Sequence, residues 1–341
     1  MNKVYNTVWN ESIGMWVVTS ELTRKGGQRP RQIRRTVLAG LVAGLLLPSA
    51  PTLATAWDSV TLGSGGTSGS MTLNAGDTAN NTTINSGGWQ HVSGGGSATS
   101  TTINSGGWQI VSSGGSATST TINGGGLQIV SSGGSATSTT INGGWQDVYS
   151  GASATSTTIN DGWQNVYNSG SATSTTINGG RQAVYSGASA TSTTINSDGQ
   201  QIVSSGGSAT STTINGGWQY VFSGGSATST TINSGGGQAV SHDGSATSTT
   251  INDGWQDVYN SGSATSTTIN SGGRQHVSGG GSATSTTING GRQDVSGGGS
   301  ATSTTINGGW QDVFSGGSAT STTINSGGRQ DVSSGGSATS T

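Results

Sequence analysis

The sequence is short of what an ordinary globular protein is built from. Only 28% of its 341 residues are hydrophobic and 7% are charged, cysteine is absent and histidine occurs three times. So little apolar side chain excludes a single large core, and no disulfide framework can stand in for one. The body of the chain is dominated by Gly, Ser, Thr and Asn and shows no apolar stripe of 3.6-residue period, which excludes a helical bundle.

What is abundant is glycine, 63 residues of it, embedded in Ser and Thr. That composition is usual for flexible linkers, but a linker has no reason to hold register. The Ile of a recurring "TTIN" falls at 84, 103, 122, 141, 159, 177, 195, 214, 232, 251, 269, 288, 306 and 324, in steps of 18 or 19 residues. From the Val after "WQx" to the next Ile the distance is always 11, as in Val92 to Ile103 or Val313 to Ile324, whereas from Ile to Val it is 7 or 8. All length variation therefore sits in one turn, "INSGGWQ", "INGGWQ" or "INDGWQ", where Asn and Gly accept left-handed backbone and one residue more or less is tolerated.

A fixed period near 20 with strand-like segments and turn glycines marks a stacked solenoid. "ATSTTIN" and "WQIVSS" carry the β-branched and aromatic residues of strands, so the expected fold is all-β, a parallel β-helix of about fourteen coils. Alternation points Thr101, Ile103, Gln109 and Val111 inward and Ser100, Thr102, Trp108 and Ile110 outward. The residue before Val varies freely (His91, Ile110, Asp147, Ala183, Tyr220, Asp294), as expected of a solvated position. Each coil buries little beyond Ile, Val and the Ala of "SAT", so ladders must add to the burial term. Gln90, Gln109 and Gln128 and their successors, like Asn85, Asn104 and Asn123 and theirs, recur in every coil; identical amides stacked at about 4.8 Å bond to one another. Both columns read as structural ladders.

Residues 1–56 differ in composition and hold seven of the eleven basic residues. Arg31, Arg34 and Arg35 precede the apolar run "VLAGLVAGLLL", too short to span a membrane comfortably, and "ATA" at Ala54–Ala56 offers small residues for cleavage before Trp57. These are the parts of an export leader, with residues 57–83 as an N-terminal cap and 84–341 as the repeat array, ending inside a repeat.

The extra segment ahead of the apolar run, "MNKVYNTVWNESIGMWVVTSELTRKG", resembles the extended signal-peptide region of large Gram-negative autotransporters, and the repeats from Asn81 to Thr341 resemble the 19-residue repeats of AIDA-type, self-associating autotransporter adhesins. The resemblance implies a right-handed β-helical passenger exported to the outer-membrane surface through a C-terminal outer-membrane barrel, a part not found in this sequence, so the chain is expected to be an N-terminal fragment. It implies adhesion to host cell surfaces and to copies of itself on neighbouring cells. It also implies heptose added by a heptosyltransferase to serines of "GGSATS", by position Ser97, Ser100, Ser116, Ser119, Ser135 and Ser138. Absence of cysteine suits a passenger threaded unfolded through a pore.

Chemistry of other kinds finds little support. His91 and His276 are ten coils apart, about 48 Å at the strand spacing. Serines lack a base and an orienting partner in reach, so no catalysis, cofactor or metal is expected. Asp294, Asp312 and Asp331 would stack on successive coils, where calcium could bridge them, but Arg292 and Arg329 on the same outer face offset their repulsion more simply. After Ala56 the chain holds four Arg against eleven Asp, a formal −7, which argues against a nucleic-acid partner. The outward stripe that contains Trp89, Trp108, Trp145, Trp163, Trp218, Trp255 and Trp310, interspersed with Arg, is the candidate contact surface. Tyr149, Tyr167, Tyr185, Phe222, Tyr259 and Phe314 follow Val and widen it. Two further readings stand beside the adhesin: a passive stalk, and an ice-binding solenoid whose "TSTT" hydroxyls would form flat rows.

Overall fold

The computed structural model describes residues 5–10, 15–20 and 53–341, in two units, Met1–Thr52 and Leu53–Thr341. In the first unit Tyr5–Asn10 pairs antiparallel with Met15–Ser20, Tyr5 opposite Ser20. The apolar run of the leader, 37–47, and the basic residues before it lie outside the described residues.

The second unit is a parallel β-solenoid of about fifteen turns, one more than the repeat count predicts. The additional turn comes from residues outside the repeat motif: Ala56–Asp58, Thr61–Leu62 and Ser70–Leu73 pair in parallel with the next coil. Leu62 and Leu73 occupy the inward positions that Ile and Val take elsewhere.

One coil shows how the sequence folds. Ser97–Thr99 is a strand, Ser100 turns the corner alone with φ 56°, and Thr102–Ile103 resumes extended backbone. Asn104 to Gly107 then form a tight turn, closed by Gly107 N–H donating to Asn104 O at 2.9 Å with Gly106 at φ 71°. Trp108–Val111 is the third strand. Ser113 and Gly114 follow, both at positive φ (49° and 76°), the combination of a type I′ turn. Gly115 closes that turn where no side chain fits, since a Cβ there would lie 2.2 Å from Val92 O, and Gly107 is blocked in the same way by Ile84 O at 2.4 Å. Where the variable turn has one residue fewer, four coils run from Thr to Val as a single nine-residue strand, for example Thr140–Val148.

The same segments pair from coil to coil, Ser on Ser, Ile on Ile and Gln on Gln. The "SAT" strands make a 16-stranded parallel sheet and the "TI" and "WQxV" strands a 26-stranded one. Columns of Ile, Val and Ala fill the space between them, essentially without exposure up to the last coil, where Ile324 and Val332 are exposed.

Gln and Thr also lie fully inside. Gln109 Nε2 donates to Gln90 Oε1 at 2.7 Å and to Thr101 Oγ1 at 3.2 Å, while its Oε1 accepts from Gln128 Nε2 at 2.7 Å and Thr120 Oγ1 at 3.3 Å. The pattern repeats to Gln330, and among the described residues no buried side-chain polar atom lacks a partner. The Asn column is a second ladder nearer the surface, with Asn104 Nδ2 donating to Asn85 Oδ1 at 2.8 Å and Asn123 Nδ2 to Asn104 Oδ1 at 2.9 Å.

The two ladders should differ in their response to mutation. Gln201→Leu removes the acceptor of Gln219 Nε2 and Thr212 Oγ1, leaving donors unpaired in the interior at about 1–3 kcal/mol each. Asn178→Ser breaks rungs to Asn160 and Asn196 that water can replace, because Asn178 is exposed. Urea unfolding of the chain without its leader should show a large loss for Gln201→Leu and a small one for Asn178→Ser; equal losses would contradict a buried amide network.

Candidate contact surface

Because coils stack in register, every outward residue of the "WQxV" strand joins a column running along the rod. Six tryptophans of the first column, Trp89, Trp108, Trp145, Trp163, Trp255 and Trp310, are 39–50% exposed. Trp89 neighbours Trp108, and Trp145 neighbours Trp163. The Arg181 guanidinium lies 4.5 Å from the ring centre of Trp163 and donates to Gln200 Oε1 at 2.7 and 3.1 Å. Trp218 departs from the expectation of a fully exposed stripe: it is half-buried, stacks on Tyr220 (5.9 Å, 14°), and lies against Gly237, where a Cβ would come within 2.6 Å of its ring.

The variable column before Val is less solvated than its mixed composition suggests. Asp294 is completely buried, and Ala183 and Ala239 nearly so; the other members are half-buried. Alternation gives the direction of a side chain but not what covers it, and here taller residues two positions away and one coil away do the covering. Asp294 is reached by Arg274 Nε at 2.6 Å and by Arg292 Nε at 2.6 Å. Arg292 also bridges to Asp312 at 2.7 Å, and Arg329 pairs with Asp331 at 2.7 Å. The stacked carboxylates are thus interleaved with guanidinium groups. Elsewhere in the column, burial raises the pKa of Asp147, partly offset by a 2.8 Å hydrogen bond from Asn165.

The third column carries the aromatics after Val. Tyr149 meets Tyr167 edge-on at 4.0 Å and Tyr167 stacks on Tyr185 at 5.3 Å. Burial first, then the neighbouring Tyr149 and Asp147, pushes the Tyr167 hydroxyl well above the ordinary tyrosine range.

The hydroxyl candidates fall into two environments. Ser97, Ser116 and Ser135 open the "SAT" strands and are half-buried, whereas Ser100, Ser119 and Ser138 are exposed at the single-residue corner. Their left-handed backbone (φ 56°, 57° and 57°) is a feature the repeat alone does not announce. The available signal is Asn81, which holds the same corner one coil earlier with φ 54°, since Asn is the side chain most at ease there. Sequence reasoning likewise missed the Thr101 column as the partner of the glutamine ladder. Among the described residues no three His, Asp or Glu side chains gather as metal ligands.

Comparison with known proteins places this geometry. Residues 1–50 match the family described as extended signal peptide of type V secretion system, and residues 58–107, 177–217, 214–254 and 306–341 match the family described as adhesin of bacterial autotransporter system, probable stalk. The chain is 68% identical over 93 residues to autotransporter CRAC of Citrobacter rodentium (strain ICC168) and 64% identical over 92 residues to autotransporter adhesin/invasin TibA of Escherichia coli O78:H11 (strain H10407 / ETEC). Each match covers 27% of this chain but only 6% and 9% of those proteins. A crystal structure of a TibA fragment hyper-glycosylated by TibC superposes with a TM-score of 0.74 at 54% identity, covering 84% of this chain and 99% of that one. The leader and the repeats are those of proteins secreted to the outer-membrane surface of Gram-negative bacteria. With its leader, its solenoid and its repeats all matched, the chain belongs to the AIDA-type autotransporter adhesin family.

Proposed function

We propose that the rod is a non-catalytic adhesive surface that binds host cells and copies of itself through long faces, and that it is glycosylated on serines. The observation that carries this reading is the row of half-exposed tryptophans held in register by a buried amide ladder. A single hydroxyl or amide contact nets only about 0.5–1.5 kcal/mol, but contacts repeated at the same spacing on two rods add avidity once the first pair aligns. Tryptophan and arginine are the side chains that anchor such interfaces. A second reading, a stalk that holds another module away from the cell, is favoured by the family's description as a probable stalk.

Replacing Trp89, Trp108, Trp145 and Trp163 together by Ser should weaken agglutination of displaying cells while the strand signal in circular dichroism persists, because these side chains cover no core. Undiminished clumping would move the contact to the hydroxyl face, and absence of clumping or host binding in the parent chain would favour the stalk.

The modifying partner is a heptosyltransferase in this reading, supported by the similarity to a TibA fragment glycosylated by TibC. Among the described residues the hydroxyls of Ser100, Ser119 and Ser138 make no hydrogen bond and stand exposed, so the corner is the more accessible acceptor. Intact mass after co-expression with such an enzyme should rise in heptose increments, and Ala at Ser100, Ser119 and Ser138 should remove up to three. An unchanged mass in the parent chain would end the claim.

A further inference from the structure

The tryptophan stripe is interrupted once by glycine. In successive coils its column reads Trp218, Gly237, Trp255, Arg274, and the column beside it Tyr220, Ala239, Asp257, His276. Gly237 and Ala239 are therefore two small residues side by side in one coil. Trp218 leans over the first of them, and beyond it opens a cavity of about 350 Å³ lined by Trp218, Trp255, Asp257, Arg274 and His276. That volume is within the range of small-molecule sites.

Asp257 differs from the other carboxylates of its column. Asp147 is bonded by Asn165, Asp294 by Arg274 and Arg292, Asp312 by Arg292, and Asp331 by Arg329. Among the described residues Asp257 has no hydrogen-bond partner; the His276 imidazole, whose Nδ1 is 4.0 Å away, lies beyond hydrogen-bond reach. Burial raises its pKa, with His276 and Arg274 pulling the other way. The pocket thus presents a carboxylate that no protein group bonds and whose side chain is 41% exposed, open to a ligand's donors, beside two indole surfaces. Arg274 already gives Nε and Nη2 to Asp294, yet its guanidinium still bounds the site.

We propose that this pocket binds one pyranose ring of a neutral glycan, with vicinal hydroxyls donating to Asp257, a ring or hydroxyl oxygen accepting from Arg274 or His276, and a C–H face against Trp255 or Trp218. The mixed lining selects the class. An anionic sugar would be placed beside the Asp257 carboxylate, and an organic cation, which two indoles would otherwise welcome, beside the Arg274 guanidinium. A neutral polyol supplies donors for one and acceptors for the other. The indole faces, electron-rich at the centre, attract the weakly positive C–H bonds of a pyranose. The pocket deepens the adhesive reading and rests on it for its biological use, though binding itself can be measured without cells.

The test uses the whole chain after leader removal, offered to an array of glycans ending in galactose, glucose, mannose or N-acetylglucosamine, with sulfated and sialylated glycans and choline as comparisons. Saturable binding to a neutral terminus is expected, measured further by calorimetry with the matching methyl pyranoside. Trp255→Ala and Asp257→Asn should each weaken it by about tenfold or more, as loss of an aromatic platform or a charge-assisted hydrogen bond implies, while Asn178→Ser, in the exposed Asn ladder and outside the stripe, should leave it unchanged. Neutral-glycan binding that survives both pocket substitutions, preference for the anionic glycans or choline, or absence of binding would each overturn the proposal. Agglutinating cells whose protein binds no neutral glycan would remove the pocket and leave the adhesive reading in place; glycan binding by a protein whose displaying cells never adhere or clump would do the reverse.

Discussion

The buried amide ladder is the constraint from which the rest of the structure follows. A glutamine with no exposure needs its donors and acceptors matched inside the protein, because an unpaired amide in the interior costs on the order of 1–3 kcal/mol per group. In Gln109 that need is met by Gln90, Gln128, Thr101 and Thr120. Two of these partners are the same residue one coil away, so each coil must present its glutamine at the height where the neighbour's ends. A slip of one residue along a strand would turn the column outward and strand every amide at once. The repetition of the sequence is therefore what a thin core of Ile, Val and Ala requires to be stable, and the tolerance for one residue more or less is confined to the turn after Asn, away from the ladder.

Register inside imposes columns outside. Residues at equivalent positions stand about 4.8 Å apart along the rod, close enough that like charges repel and aromatic rings touch. The outer face shows both consequences. Carboxylates at 294, 312 and 331 coexist because Arg274, Arg292 and Arg329 are threaded between them, and Tyr149, Tyr167 and Tyr185 pack into an aromatic row. The surface varies in identity from coil to coil, but each choice answers to its neighbours above and below, which is how Gly237 can reshape the environment of Trp218 and Trp255.

This division also explains what could be read from the sequence. The strand segments, the site of length variation and the inward set Thr101, Ile103, Gln109 and Val111 are properties of a period and an alternation, and both are visible in one dimension. The burial of Asp294 and the half-burial of Trp218 are not, because they depend on side chains from adjacent coils leaning along the rod axis. Reading down the columns rather than along the strands exposes part of this: Arg274 and Arg292 flank Asp294 in such a listing of coils, and Gly237 stands out as the gap beside Trp218. The pairing of Gln with Thr was hidden for another reason, since Thr101 is explained well enough as a β-branched strand residue until its hydroxyl is seen to accept from Gln109.

The corner serine joins fold and proposed modification. Fourteen serines, from Ser100 to Ser340, hold this position at positive φ, a backbone region that costs a residue with a Cβ roughly 1–2 kcal/mol. Glycine would relieve that cost at every corner, and the chain has no shortage of glycine. Asn81 occupies the same corner at φ 54°, so the backbone does not demand serine. What serine alone keeps is a small, exposed hydroxyl at a bend that projects from the rod, repeated once per coil. In the proposed modification, an acceptor for a sugar is the chemistry that such a row of exposed hydroxyls offers, and it asks nothing further of the fold.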